Sequence, residues 1–207
     1  QLKTRGPDSS GTWCKNDMRL AFGHRRLAIV DLSQAGHQPM VSHSGRYIIT
    51  YNGEVYNAAE LRDELLAKGY IFRGHSDTEV ILTACEAFGL VEATKKLIGM
   101  FAFALWDEEE HKLHLVRDRL GIKPLYWGFN NDILFFGSQV KSFYPHPFWR
   151  PEINREILPS LFRFCYIPGP FSIYKDIQKL QPGCIITIQN KDKISLNAYW
   201  SMQEAIN

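Results

Sequence analysis

Four short apolar runs follow one another between residues 99 and 137, with joins too brief to hold a crossover helix. They are Gly99 to Trp106, Lys112 to Asp118, Leu125 to Phe129 and Ile133 to Gly137, rich in aromatic and branched side chains. Two joins carry turn residues, Asp107-Glu108-Glu109-Glu110 and Asn130-Asn131-Asp132. Such connections imply antiparallel pairing, because parallel neighbours need a dozen residues or more between them. Upstream, helical periodicity appears twice. Ala58 to Lys68 places Leu61 and Leu65 on one face, with Asn57 and Glu60 spaced as a capping box and Gly69 as the terminating residue. Thr78 to Phe88 buries Val80, Ile81, Ala84 and Phe88, opens on Ser76 with Glu79, and ends at Gly89. A short helical segment follows. The fold class is therefore α+β, with helices packed on antiparallel sheets rather than a doubly wound parallel sheet.

The remaining segments read as follows. Residues 1–17 are rich in Gly, Pro, Ser and Asp and predict a loop. Arg19 to Val30 predicts a strand, Gln34 to Gly45 a loop, and Arg46 to Tyr51 another strand. From Tyr144 the composition changes: Pro145, Pro147, Pro151, Pro159, Pro168 and Pro170 crowd one span. This predicts a linker, a helix near Ile153 to Phe164 and a hairpin around Lys179 to Ile188. The chain divides on this reading into a domain over 1–143 and a segment over 144–207.

A chain of 207 residues can bury a sizeable core. Its 45% hydrophobic and 22% charged content is that of an ordinary globular protein, and a net charge of +2 argues for neither nucleic acid nor membrane as partner. No stretch approaches the length of a membrane-spanning helix and no signal peptide is visible. Cys14, Cys85, Cys165 and Cys184 are scattered, and His37 and His43 lack ligand spacing, so no metal site is expected. Unpaired cysteines fit a reducing, cytoplasmic setting.

Chemistry concentrates in Tyr51-Asn52-Gly53-Glu54-Val55-Tyr56-Asn57. Asn52 offers an amide, Gly53 a backbone that a ligand can approach, and Glu54 a carboxylate. Lying between a strand and a helix, the three are expected in a strand-to-helix turn. The run resembles the NGE(I/V)YN signature in the N-terminal glutaminase domain of glutamine-hydrolysing asparagine synthetases. Further runs agree in the family's order: Arg5-Gly6-Pro7-Asp8 with Gly11, His24 through Asp31 (HRRLAIVD), Ser76-Asp77-Thr78-Glu79, Gly99 through Asp107 (GMFAFALWD), and Arg117 through Tyr126 (RDRLGIKPLY). Ordered motifs of this length, spread over almost the whole chain, are far more specific than one NGE tripeptide.

The resemblance implies an αββα sandwich of the N-terminal-nucleophile hydrolase type, two antiparallel sheets between helices. It implies that Asn52 and Gly53 form an oxyanion hole, and that Arg26, Leu27, Ile29, Val30, Asn52, Gly53, Glu54 and Asp77 bind L-glutamine. Arg26 would hold the α-carboxylate, which a planar guanidinium can meet with two parallel bonds. Asp77 would hold the ammonium, although an Asp at a helix start also serves the helix dipole. Arg25 should face away from Arg26. Asp118 and Arg119 suit a buried ion pair of structural role.

The family's nucleophile is a cysteine at the mature N-terminus, whose own amine accepts the thiol proton. Cys14 has no such amine beside it. The resemblance therefore places the nucleophile and the first strands before Gln1, and an ATP- and Mg-using synthetase domain after residue 207. The segment itself carries no cofactor motif, neither GxGxxG nor P-loop. Its expected partners are L-glutamine and that synthetase domain in cis, with room for a homodimer. Three alternatives stay open: amidation of another carboxylate such as a sugar acid, a non-catalytic glutamine-binding domain, and a related hydrolase that uses Ser or Thr as its first residue.

Overall fold

The protein is described by a computed structural model covering residues 2–28, 31 and 33–206. Its strands and helices follow in the order β1 (Ser9–Lys15), β2 (Leu20–Arg26), β3 (Met40–Val41), β4 (Tyr47–Val55), α1 (Ala58–Ala67), α2 (Asp77–Phe88) and α3 (Leu90–Lys96). Then come β5 (Gly99–Asp107), β6 (Lys112–Arg117), β7 (Tyr126–Asn130), β8 (Ile133–Gly137), α4 (Leu158–Phe164), β9 (Gln178–Lys179), β10 (Cys184–Asn190), β11 (Lys193–Ala198) and α5 (Met202–Ile206). Six strands form one sheet in the order β11-β10-β6-β5-β4-β3; β1 and β2 pair separately, and β8-β7-β9 make a third group. Every pairing is antiparallel.

The centre of the large sheet is β5, buried from Phe101 to Asp107. A strand apolar on both faces must be covered on both. Phe101, Phe103 and Leu105 point to one side, where they meet Ile49, Tyr51 and Val55 of β4, Leu61 and Leu65 of α1, and Val80, Ile81 and Ala84 of α2. Ala102, Ala104 and Trp106 point to the other, where Phe22 of β2 and Trp127 of β7 lie with Ile48 and Leu115. The small alanines let the second strand layer approach closely. The layers thus run helix, sheet, strand, and α4 buries none of its side chains.

Several local expectations are corrected. The loop predicted over residues 1–17 contains β1, because all seven of its residues find partners in β2. The hairpin expected around Lys179 to Ile188 lies further along the chain: β9 pairs with β7, whereas β10 pairs with β6 and turns directly back on β11. The residues after Tyr144 therefore contribute two strands to the large sheet. The capping box at Asn57 is absent. Its side chain instead donates to Lys96 O and accepts from Ile98 N, both at 2.9 Å, tying α1 to the start of β5. In α2, Ser76 does cap Glu79 N at 3.3 Å, but the Glu79 carboxylate turns to Arg73 N and Gly74 N.

Asp118 and Arg119 are not an ion pair. Asp118 is fully buried and accepts from the N–H groups of Phe101, Leu120, Ile122 and Lys123 at 2.9–3.2 Å. Arg119 donates to Lys95 O at 2.8 Å. A buried carboxylate surrounded by four N–H donors needs no cation beside it. The neighbouring Arg117 supplies three donors to Gly121 O, Lys123 O and Leu180 O, and its burial lowers its pKa. The GIKPLY turn is thus held from both sides of the strand end.

Candidate functional site

Asn52, Gly53 and Glu54 lie within β4, not in a turn after it, because β5 pairs with β4 through Val55. Gly53 is required there by the neighbouring strand rather than by a ligand: a Cβ would fall 2.3 Å from Met100 O and 2.7 Å from Phe101 Cα.

The direction of the backbone groups defines the site. Tyr51 N donates to Gln38 Oε1 at 2.7 Å and Val55 N to Asp77 Oδ2 at 3.0 Å, so both point away from β5. Alternate residues of an antiparallel strand direct their N–H and C=O groups to the same side. Gly53, between them, therefore also points away from β5. Consistent with this, Phe101 opposite it turns its own N–H and C=O to Asp118. On the free side β3 reaches only Ile48 and Ile49. Gly53 N–H thus has no partner among the described residues. It opens into a gap bounded by Gln38 on one side and by Asp77 about 7 Å further along the edge.

Asp77 stands at the first turn of α2 and is buried. Its Oδ2 accepts from Val55 N and, at 2.6 Å, from the Tyr51 hydroxyl. Burial, then the Asp77 charge, pushes the Tyr51 phenol far above its usual value, so the hydroxyl remains the donor. The other carboxylate oxygen makes no hydrogen bond to the described residues.

Asn52 and Glu54 project from the opposite face of β4 and are exposed. Asn52 Nδ2 donates to Ser138 Oγ at 3.3 Å. Two residues earlier Thr50 Oγ1 meets His24 Nδ1, also at 3.3 Å. Burial, then Arg26 and His37, pushes the His24 pKa down to about 4, so the ring is neutral near pH 7.

Arg26 shares the inward face of β2 with Phe22 and His24, while Arg25 turns outward and donates to Gly6 O at 2.9 Å. Arg26 donates to Ser33 O at 2.9 Å and to Asp31 O. The Asp31 carboxylate in turn accepts from Ser33 N and His75 N at 2.7 and 3.0 Å. The Arg26 loop is thereby tied to the approach to α2, two residues before Asp77. The Arg5-Gly6-Pro7-Asp8 run braces this loop: Asp8 accepts from Ala28 N at 2.8 Å, and a Cβ on Gly6 would collide with the Arg25 backbone. Leu27 is exposed, and Ile29 and Val30 lie outside the described residues.

The structure therefore gathers Gly53, Asp77 and the Arg26 loop along one edge of β4, and sets the Asn52 and Glu54 side chains on its other face. Gln38, Tyr51 and Ser138 were not singled out from sequence. Gln38 and Ser138 sit in loops without periodicity, and Tyr51 ends the predicted strand Arg46 to Tyr51 with no role of its own. Among the described residues no group of His, Cys, Asp and Glu could hold a metal ion, and no helix is long and apolar enough to cross a membrane.

A family described as "glutamine amidotransferase domain" matches residues 1–200. Asparagine synthetase [glutamine-hydrolyzing] 1 of Bacillus subtilis (strain 168) is 41% identical over 196 residues, 95% of this chain and 30% of that protein. Asparagine synthetase [glutamine-hydrolyzing] 3 of the same organism is 38% identical over 206 residues, 98% of this chain and 33% of that protein. Amidase chry2 of Gibberella zeae is 31% identical over 96% of this chain and 29% of its own length. The chain thus spans about a third of the length of these relatives. Among solved structures, the glutamine phosphoribosylpyrophosphate amidotransferase of B. subtilis superposes with a TM-score of 0.63 at 22% identity, covering 88% of this chain and 35% of its own. That likeness shows a shared fold.

Proposed function

The chain belongs to the glutamine amidotransferase domain family, and from that premise we propose that it is the glutamine-hydrolysing part of an asparagine-synthetase-type enzyme. The observation that carries the proposal is the Gly53 N–H on the free edge of β4, which has no partner among the described residues, one residue after Asn52 and two before Val55, whose N–H meets the Asp77 carboxylate. Hydrolysis of a side-chain amide passes through a tetrahedral oxyanion. Two fixed donors, the Gly53 N–H and the Asn52 Nδ2, meet that charge as it develops. The free oxygen of Asp77 takes the substrate ammonium, Arg26 the α-carboxylate, and Glu54, Leu27, Ile29 and Val30 line the amino-acid end.

The nucleophile in this reading is the thiol of an N-terminal cysteine, whose α-amine accepts its proton. None of the four internal thiols is so placed. Burial pushes Cys85 up to about 12 and raises Cys184, while Cys14 sits within β1 and Cys165 at the end of α4. The released ammonia passes to an ATP-activated carboxylate, taken here as aspartate, in a synthetase domain that follows the segment over 144–207. A cytoplasmic location and a homodimer belong to the same reading.

Two variants of the full-length enzyme test the proposal. Asn52→Ala lowers kcat with glutamine about 10²–10³-fold and changes KM little, because its amide meets an oxygen that is anionic only in the transition state. Arg26→Ala mainly raises KM, because the α-carboxylate does not change during reaction. Synthesis from free ammonium survives both. The 207-residue chain alone releases no glutamate from glutamine. Full kcat in Asn52→Ala, or turnover by the chain alone that vanishes in Cys14→Ser, would sink the assignment.

A further inference from the structure

We propose that Ser138 is a positioning residue for the Asn52 amide, an inference that rests on the oxyanion role given to Asn52 above. Asn52 is exposed, and Nδ2→Ser138 Oγ, at 3.3 Å, is the single side-chain hydrogen bond it makes among the described residues. A primary amide carries two N–H donors at one end and an acceptor at the other. With Ser138 Oγ as the acceptor, one N–H is committed and rotation of the amide about its Cβ–Cγ bond is restricted. The second N–H then has a set direction. Without Ser138 the amide can rotate and present Oδ1, an acceptor that would repel a developing oxyanion.

Ser138 is itself firmly placed. It follows Gly137, which pairs with Tyr126 at the end of the β7–β8 ladder. It precedes a 3-10 turn at Val140–Ser142, closed by Ser142 Oγ on Gln139 O at 2.6 Å. The contact thus joins β4 of the large sheet to the strand layer above it, across 86 residues of sequence. Ser138 does not touch the reacting atoms; it sets the direction of the group that does.

The test uses the full-length enzyme, labelled with ¹⁵N only at asparagine. Ser138→Ala is expected to move the Asn52 side-chain NH₂ signals, assigned by their loss in Asn52→Ala, and to lower glutamine kcat about 3–10-fold at unchanged KM. Ser138→Thr restores both, and ammonium-dependent synthesis is unaffected throughout. Unmoved Asn52 signals in Ser138→Ala overturn the proposal, as does an unchanged kcat while Asn52→Ala shows its full loss. If Asn52→Ala itself keeps full kcat, the oxyanion assignment falls instead, and the NMR signals still decide whether Ser138 holds the amide.

Discussion

The two sides of β4 obey different physics although they alternate residue by residue. On the helix side Ile49, Tyr51 and Val55 are buried, and the carboxylate that meets them, Asp77, is bound by Tyr51 and by a backbone N–H. On the strand side Thr50, Asn52 and Glu54 are half-buried or exposed, and each of the first two has one long contact, to His24 or Ser138. Ile48 is buried on the strand side, but from Thr50 onward the helix side alone holds the strand in place by burial. The strand side is left free to present polar groups, and the backbone of Gly53 opens along the edge between them. A site of this kind draws its rigidity from one face of a strand and its chemistry from the other.

This contrast can be broken by mutation. The largest effect is expected at Ile49, which is wholly buried: Ile49→Ala should cost about 2–5 kcal/mol in urea unfolding. Tyr51→Phe should cost about 1.5–3 kcal/mol, since it removes a donor from a buried carboxylate. Thr50→Ala, on the other face, should cost at most about 1 kcal/mol. Equal losses at Ile49 and Thr50 would show that both faces carry the strand alike.

A smaller effect concerns pH, and it samples both sides. His24 lies on the strand side, whereas His114 follows the alternation of β6 toward the helix side, where Thr187 Oγ1 lies 2.9 Å from its ring. Burial depresses both histidines from 6.5 to about 4. The unfolded chain therefore binds more protons below pH 6.5, and stability should fall as pH drops from about 6.5 to about 4. Urea midpoints across that window should decline less steeply in His24→Gln and in His114→Gln. An unchanged slope in either variant would remove that histidine from the account.

Much of this was legible in the chain. Both long helices, β5 to β8 and the strand into Tyr51 follow from periodicity and turn residues, because those signals are local. The burial of Leu61, Leu65, Val80 and Ile81 follows for the same reason. The Asn57 cap failed because a side chain that can close its own helix was taken by a carbonyl and an N–H some forty residues away. The loop expected over residues 1–17 failed because Gly- and Ser-rich sequence has weak strand preference, and pairing with β2 supplied what propensity did not.

By itself, then, the sequence determined the α+β class, the helices with their buried faces, and the Tyr51-Asn52-Gly53-Glu54 run as the place to look for chemistry. Tertiary structure alone decided that this run is strand rather than turn, that β5 requires Gly53, and that the Gly53 N–H is left without a partner among the described residues, between Gln38 and Asp77. The physical reason is that side-chain alternation is set by neighbours in sequence. Which backbone edge finds a partner is set by strands and helices that arrive from far along the chain.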